Sequence, residues 1–287
     1  MTQLRIYPVK SLGGVEVDEA AVEPWGLEGD RRWALVDEAG MPVTAREVHA
    51  LLGLRAEPVD ADTIRIVDAG GAGILVDTPL GLGPVPVGHS RQGFAAPADE
   101  DVNRWVSERV GARVRLVWQE DPRVRPISGA RGGMPGETLS LADAGPLLLT
   151  TESSLEQLNT WIAAEVAEPD VPDLDPEDLS GSSPDISEPL SMLRFRPNVV
   201  IDGETPFAED EWDGVRIGAA DFRTTMLCDR CVMTTVDPVT LAGGKEPIRT
   251  LARHRRWDGK TWFGIRLVAH GRGVLRIGDD VVAWTPR

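Results

Sequence analysis

The chain has 287 residues, 46 acidic against 30 basic side chains, a formal charge of −16 and a pI near 4.7. That balance excludes broad binding to a phosphate backbone, which depends on clustered Lys and Arg, so nucleic acid is not an expected partner. Hydrophobic residues make up 41% of the chain, enough for a sizeable core, yet no run approaches the roughly 18 consecutive apolar residues of a membrane helix. The opening Met1 to Lys10 has no apolar stretch of signal-peptide length, and two cysteines cannot build a disulfide framework. A cytoplasmic protein with no membrane partner is expected.

Short β-type runs separated by Gly, Pro and Asp fill the first third: Leu4 to Val9, Val15 to Val22, Trp33 to Asp37, Thr63 to Val67 and Gly73 to Val76. Their spacing predicts a small barrel or sandwich. Asp101 to Val110 has helical spacing and Arg113 to Trp118 alternates as a strand. From Asp121 to Leu139 the chain is rich in Arg, Gly and Pro and reads as a linker or long surface loop, so a domain over 1–120 and a second over 121–287 are expected. Leu147 to Thr150 then reads as a strand, followed by a capping-box pattern, Ser153-Ser154-Leu155-Glu156, that opens a helix to about Val166.

Residues of about 165–190 carry nine acids, several prolines and no basic residue, the composition of a solvated acidic insertion. Strand patterns return at Phe195 to Asp202, Gly214 to Ile217, Asp221 to Leu227 and Val232 to Val236. Lys245 to Arg256 reads as helix, and strands close the chain at Thr261 to Ala269 and Gly273 to Ala283. The fold class is α+β, predominantly β, with a few helices.

The two cysteines stand together in Cys228-Asp229-Arg230-Cys231. A thioredoxin-type pair needs a helix N-terminus at its first thiol, and a strand pattern follows instead. A structural zinc site needs four ligands, and His49, His89, His254 and His270 are too scattered to complete one. What remains is one functional thiolate favoured by the adjacent Arg230, or two buried structural cysteines. Basic groups stand out against the acidic background. Lys10-Ser11 precedes Gly13-Gly14, Arg31-Arg32 follows Gly29-Asp30, and Arg196 and Asn198 flank Pro197. Each alone reads as a surface ion-pair partner; together with the thiolate they suggest a pocket for a phosphorylated, metal-bearing cofactor.

These segments carry a resemblance. Ile6-Tyr7-Pro8-Val9-Lys10-Ser11 and Gly29-Asp30-Arg31-Arg32-Trp33 look like the N-terminal β-barrel that precedes MOSC domains. Thr150-Thr151-Glu152-Ser153-Ser154-Leu155, Phe195-Arg196-Pro197-Asn198, Phe207-Ala208-Glu209-Asp210-Glu211-Trp212 and Cys228 to Pro238 resemble the MOSC domain itself. The match runs in order over nearly the whole chain, which resembles amidoxime-reducing components and bacterial proteins that detoxify N-hydroxylated bases. It implies a small β-barrel domain over 1–120, a MOSC-type β-barrel domain over 121–287, and a pterin-molybdenum cofactor in a groove between them.

By that resemblance Cys231 is the molybdenum ligand and catalytic thiolate. Lys10, Ser11, Arg31, Thr151, Ser153, Arg196 and Asn198 hold the pterin and its phosphate, and Arg230 faces cofactor or substrate. Ser153 also reads as a plain helix cap. The implied activity is reduction of small N-hydroxylated compounds. With only two cysteines there is no in-chain iron–sulfur cluster, so electrons come from a separate electron-transfer protein. Two rival functions are a carrier of molybdenum cofactor or of its sulfur, without turnover, and a thiol redox module using both cysteines.

Overall fold

The computed structural model describes residues 1–81, 83–167 and 188–285. Most of the acidic stretch expected over about 165–190 lies outside the described residues. Strands dominate, as the sequence pattern predicts, and among the described residues three α-helices accompany them, Glu100–Val110, Glu152–Ala167 and Ile248–His254.

The largest sheet has nine strands. Along it lie Val15–Glu16, Gln3–Ile6, Val199–Ile201, Leu147–Thr151, Lys260–Ala269, Ala220–Asp229, Gly214–Ile217 and Val281–Trp284, with Arg256–Trp257 paired beside Lys260–Ala269. Leu147–Thr151 and Val199–Ile201 pair in parallel, and their crossover contains the helix Glu152–Ala167, the connection that parallel strands require. A five-stranded sheet holds Trp33–Val36 and Arg115–Trp118 at its middle, and a three-stranded sheet joins Arg55–Pro58, Thr63–Val67 and Gly73–Asp77.

Sequence-distant strands are interleaved. Gln3 and Leu4 register against Val200 and Val199, and Glu19–Glu23 pairs with Gly273–Arg276 near the other end of the chain. The cores follow suit: Leu4 and Ile6 pack with Leu149, Phe222 and Ile265, while Val236 packs among Leu12, Trp33 and Leu51. These apolar residues are at most 5% exposed, and burial of one such side chain is worth roughly 1.5–3 kcal/mol.

Three local expectations change. Val232 to Val236 is not a strand: Val232–Thr235 forms a 3-10 turn, because Thr234 Oγ1 donates to Cys231 O (3.0 Å) and Thr235 Oγ1 to Val232 O (2.7 Å). Hydroxyls that satisfy nearby carbonyls give the backbone an alternative to a ladder. The Arg/Gly-rich segment after Asp121 is pinned rather than a free linker. Ile127 N donates to Glu137 O, Arg223 Nη2 reaches Gly132 O and Glu137, and a Cβ on Gly132 would stand 2.3 Å from Thr225 O. The third change is at Phe195-Arg196-Pro197-Asn198, where a 3-10 turn, Met192–Phe195, ends in a left-handed Arg196 before the strand Val199–Ile201 begins.

Candidate functional site

The sheet Ala220–Asp229 and Lys260–Ala269 is irregular where it matters. Leu227 registers with Ile265 but Asp229 with Trp262, so Cys228 faces two residues, Phe263 and Gly264. A bulge of this kind bends a strand and re-aims its side chains. Gly264 takes φ +78°, and a Cβ there would meet Leu149 O at 2.7 Å, a position only glycine fills without strain. The strand end then delivers Cys228 and Asp229, and the following turn Arg230 and Cys231, into one cavity.

That cavity is lined from both sequence halves. Lys10, Ser11, Arg31, Thr44 and Arg46 come from the first, and Asp143, Phe195, Arg196, Asn198, Cys228, Asp229, Arg230, Cys231 and Arg266 are among those from the second. Seven lining side chains are cationic, Lys10, Arg31, Arg46, Arg131, Arg196, Arg230 and Arg266, against the two carboxylates of Asp143 and Asp229. In a chain of formal charge −16 the cavity therefore reverses the sign of its surroundings.

Backbone strain gathers here. Among the described residues seven non-glycine residues have positive φ, and three of them, Ser11 (72°), Arg31 (50°) and Arg196 (56°), line the cavity. Such conformations cost of order 1–3 kcal/mol each and persist only where surrounding structure imposes them. The imposing contacts are identifiable. Asp30 is fully buried and accepts from Tyr7 N (2.8 Å) and Arg31 Nη1 (2.6 Å). Arg31 also reaches Asn198 Oδ1 (2.9 Å) and Arg196 O (3.2 Å). Arg31 and Arg196 both lie over the Tyr7 ring, at 4.6 and 4.4 Å from its centroid.

Charge and burial set the state of these groups. Burial, with repulsion from Arg31, pulls Arg196 down to about 10, and its guanidinium has no hydrogen-bond acceptor among the described residues. Its charge is therefore free of a hydrogen-bonded acceptor among the described residues and available to an incoming anion. Burial would raise Asp143, but Lys10 (2.6 Å) first, then Arg46 (3.1 Å) and Arg31, hold its carboxyl below the usual range. Burial likewise opposes ionisation of Asp229, and Arg266 (2.7 Å) and Arg131 (3.2 Å) outweigh it. Both acids are thus kept ionised.

The two thiols differ. Cys228 is buried, 5% exposed, and its Sγ accepts from Arg230 Nη1 at 2.8 Å, while Arg230 Nη2 donates to Phe195 O at 2.7 Å. Cys231 is more open, and its Sγ accepts from Arg46 Nε at 3.5 Å. The arginine at Cys231 is therefore Arg46, with Arg230 taken by the other thiol. Nothing in the local spacing of Thr44-Ala45-Arg46 marks it; only the fold brings residue 46 to residue 231.

Lys10, Ser11, Arg31, Arg196, Asn198, Arg230 and Cys231 line this one cavity. Thr151 and Ser153 do not line the cavity. Thr151 is the residue before the helix Glu152–Ala167, and its Oγ1 accepts from Ser154 N (3.1 Å) and bonds Ser154 Oγ (2.6 Å). Thr151, not Ser153, is thus the cap. Ser153 lies within hydrogen-bond reach of Thr151 at 3.2 Å, and Ser154 donates to the fully buried Glu209 (2.8 Å). These hydroxyls are consumed in holding the helix start. Of the histidines, His89 is buried with neither ring nitrogen bonded among the described residues, and burial pulls it down to about 4, aided by Lys10 and Arg125. His254 stacks on Trp161.

Among the described residues no three His, Cys, Asp or Glu side chains converge to hold a metal ion, and no helix is long and apolar enough to cross a membrane. Comparison with known proteins extends the geometry over the whole chain. Over 98% of its length it is 31% identical to mitochondrial amidoxime-reducing component 1 of Mus musculus and 30% identical to that of Homo sapiens, covering 81% and 82% of those chains. It is also 31% identical to molybdenum cofactor sulfurase of Danio rerio, again over 98% of this chain but 34% of that one. Residues 1–113 match the MOSC N-terminal beta barrel domain and residues 136–282 the MOSC domain. The chain belongs to the MOSC family.

Proposed function

We propose that this protein binds a pterin-molybdenum cofactor in the cavity and reduces small N-hydroxylated compounds, such as hydroxylamines, amidoximes and N-hydroxylated bases, with electrons from a separate donor protein. The observation that carries the reading is the reversal of charge: seven cations gathered around one partly open thiol in a chain of charge −16. An anionic cofactor needs such cations and amide donors, and a soft thiolate suits molybdenum. Among the described residues no side-chain cluster would hold a metal by itself, so Cys231 would serve as the protein's ligand and the cofactor would bring the others. The residues present fit the group.

In this reading Lys10, Ser11, Arg31, Arg196 and Asn198 hold the pterin and its phosphate, and Cys231 supplies the protein's metal ligand. When bound, the cofactor supplies the two-electron chemistry that breaks an N–O bond. The chain's own residues orient and neutralise. Arg31 and Arg196, braced on Tyr7, present fixed positive charge that needs no reorganisation on binding. Asp229 is held ionised by Arg266 and Arg131, which suits it to fixing those arginines rather than to donating a proton. Asp237 accepts from Val239 N, Thr240 N and Arg194, and so serves as a loop anchor.

Support for the activity comes from the amidoxime-reducing relatives, and for the separate donor from a cysteine count below the four that an iron–sulfur cluster takes. The test is molybdenum content and released pterin fluorescence of protein from a cofactor-competent host, followed by N-hydroxy reduction with an artificial donor. Near-stoichiometric metal that disappears in Cys231→Ala, with turnover, supports the proposal. Metal and pterin absent while a control molybdoenzyme is loaded would refute it. The sulfurase relative favours a second reading, a cofactor or sulfur carrier. Bound cofactor without turnover, released to an apo-acceptor enzyme, would select it.

A further inference from the structure

Arg46 sits on the turn after the strand Pro42–Val43, where Thr44 N and Thr44 Oγ1 both donate to Glu47 (3.1 and 2.6 Å) and fix the local backbone. Its guanidinium uses two edges at once. Nε donates to Cys231 Sγ at 3.5 Å and Nη2 to Asp143 Oδ2 at 3.1 Å. The other Asp143 oxygen accepts from Lys10 Nζ at 2.6 Å, and Lys10 also donates to Leu141 O at 3.1 Å. Lys10, Asp143, Arg46 and Cys231 thus form one continuous chain of contacts.

We infer that Arg46 is a positioning residue for the Cys231 sulfur, held in place by Asp143, rather than a contact for the anion of a bound ligand. Arg46 has one edge committed to Asp143 and the other to Cys231, whereas Arg196 has no acceptor among the described residues and is the better anion partner. A planar guanidinium tethered at one edge holds its other N–H in a fixed direction. A charge-assisted bond to sulfur occupies one lone pair and withdraws electron density. Hydrogen bonds to a sulfur ligand are a principal means by which proteins tune a metal's potential. The part concerning the metal rests on the function proposed above; the sulfur contact does not.

The experiment compares wild type with Arg46→Gln, Arg46→Lys and Asp143→Asn, each checked by thermal melting. In cofactor-free protein, iodoacetamide alkylation of Cys231 is followed by peptide mass spectrometry on the alkaline plateau, where the thiol is fully ionised, with Cys228 as internal reference. Losing one such bond should speed Cys231 by roughly three- to tenfold in Arg46→Gln and less in Asp143→Asn, leaving Cys228 unchanged. In loaded protein both variants should keep pterin near the wild-type level, with a shifted Mo(V) resonance and a lower midpoint potential. Unchanged Cys231 rates would overturn the inference. So would pterin loss in Arg46→Gln as deep as in Arg196→Ala, since that puts Arg46 on the cofactor's anion. If Arg46→Gln fails to fold, Arg46→Lys and Asp143→Asn carry the same comparison. If wild type takes up no molybdenum, the functional proposal fails while the alkylation rates still decide the Arg46 contact.

Discussion

Arg230 Nη1 stands 2.8 Å from Cys228 Sγ, so the arginine adjacent in sequence to one cysteine serves the other. With its second nitrogen on Phe195 O and its guanidinium over the Phe195 ring (5.3 Å), Arg230 ties the strand end to the turn that presents Arg196. Cys228 is thereby the acceptor that fixes this arginine.

Cys228→Ala removes that acceptor from a half-buried cation and should cost about 1–3 kcal/mol, read by urea unfolding, with partial loss of bound pterin. Cys228→Ser keeps an acceptor and should retain most of the stability and the metal. Abolished reduction in a metal-replete Cys228→Ser would point instead to chemistry that uses both thiols.

Arg196 combines a strained backbone with a charge that has no acceptor among the described residues. Arg196→Gly relieves the left-handed conformation and Arg196→Ala does not, so the glycine variant should be the more stable of the two by about 1 kcal/mol. Both should lose cofactor to a similar extent. Paired thermal melts and pterin fluorescence separate the two effects.

Glu209 is fully buried, and burial raises it above the ordinary glutamate value of 4.5 despite the Ser154 hydrogen bond. Between the ordinary and the raised value the folded state holds the proton more firmly than the unfolded state. Its contribution to stability therefore declines as pH rises through that window and is flat beyond it. Glu209→Gln cannot ionise, so it should flatten this slope and be more stable than wild type above the window. Urea midpoints at a series of pH values check the sign.

Gly264→Ala should cost roughly 2–4 kcal/mol, from the positive φ together with overpacking against Leu149 O and Thr150 Cγ2. Because the bulge aims Cys228 and Asp229, cofactor retention should fall with it. A melt and a metal assay on the same preparation test both.

Strand patterns such as Thr63 to Val67 and Gly214 to Ile217 were readable because alternation with a buried face is a local signal. Val232 to Thr235 misled for the same reason: Thr and Val favour strands, but hydroxyl-to-carbonyl bonds captured the turn. At the site, Lys10, Arg31, Arg196 and Cys231 were legible as basic groups and a paired thiol against an acidic background. Arg46 and Asp143 were not, since one acid and one arginine 97 residues apart acquire meaning only when the sheets pack. Thr151 and Ser153 carry only a resemblance in the sequence, and their hydroxyls turn to the helix start and Glu209.

The pairing of Gln3–Ile6 with Val199–Ile201 sets a schedule for the living cell. A ribosome adding about 5–20 residues per second exposes the first strand some ten to forty seconds before its partner exists. Until then Leu4 and Ile6 have no sheet to join, and Lys10 and Arg31 have no Asn198 or Cys231 to face. On the function proposed above, loading of the cavity would have to follow synthesis of Cys231, and any factor that guards the nascent protein has to shield Gln3–Ile6 until Val199–Ile201 arrives.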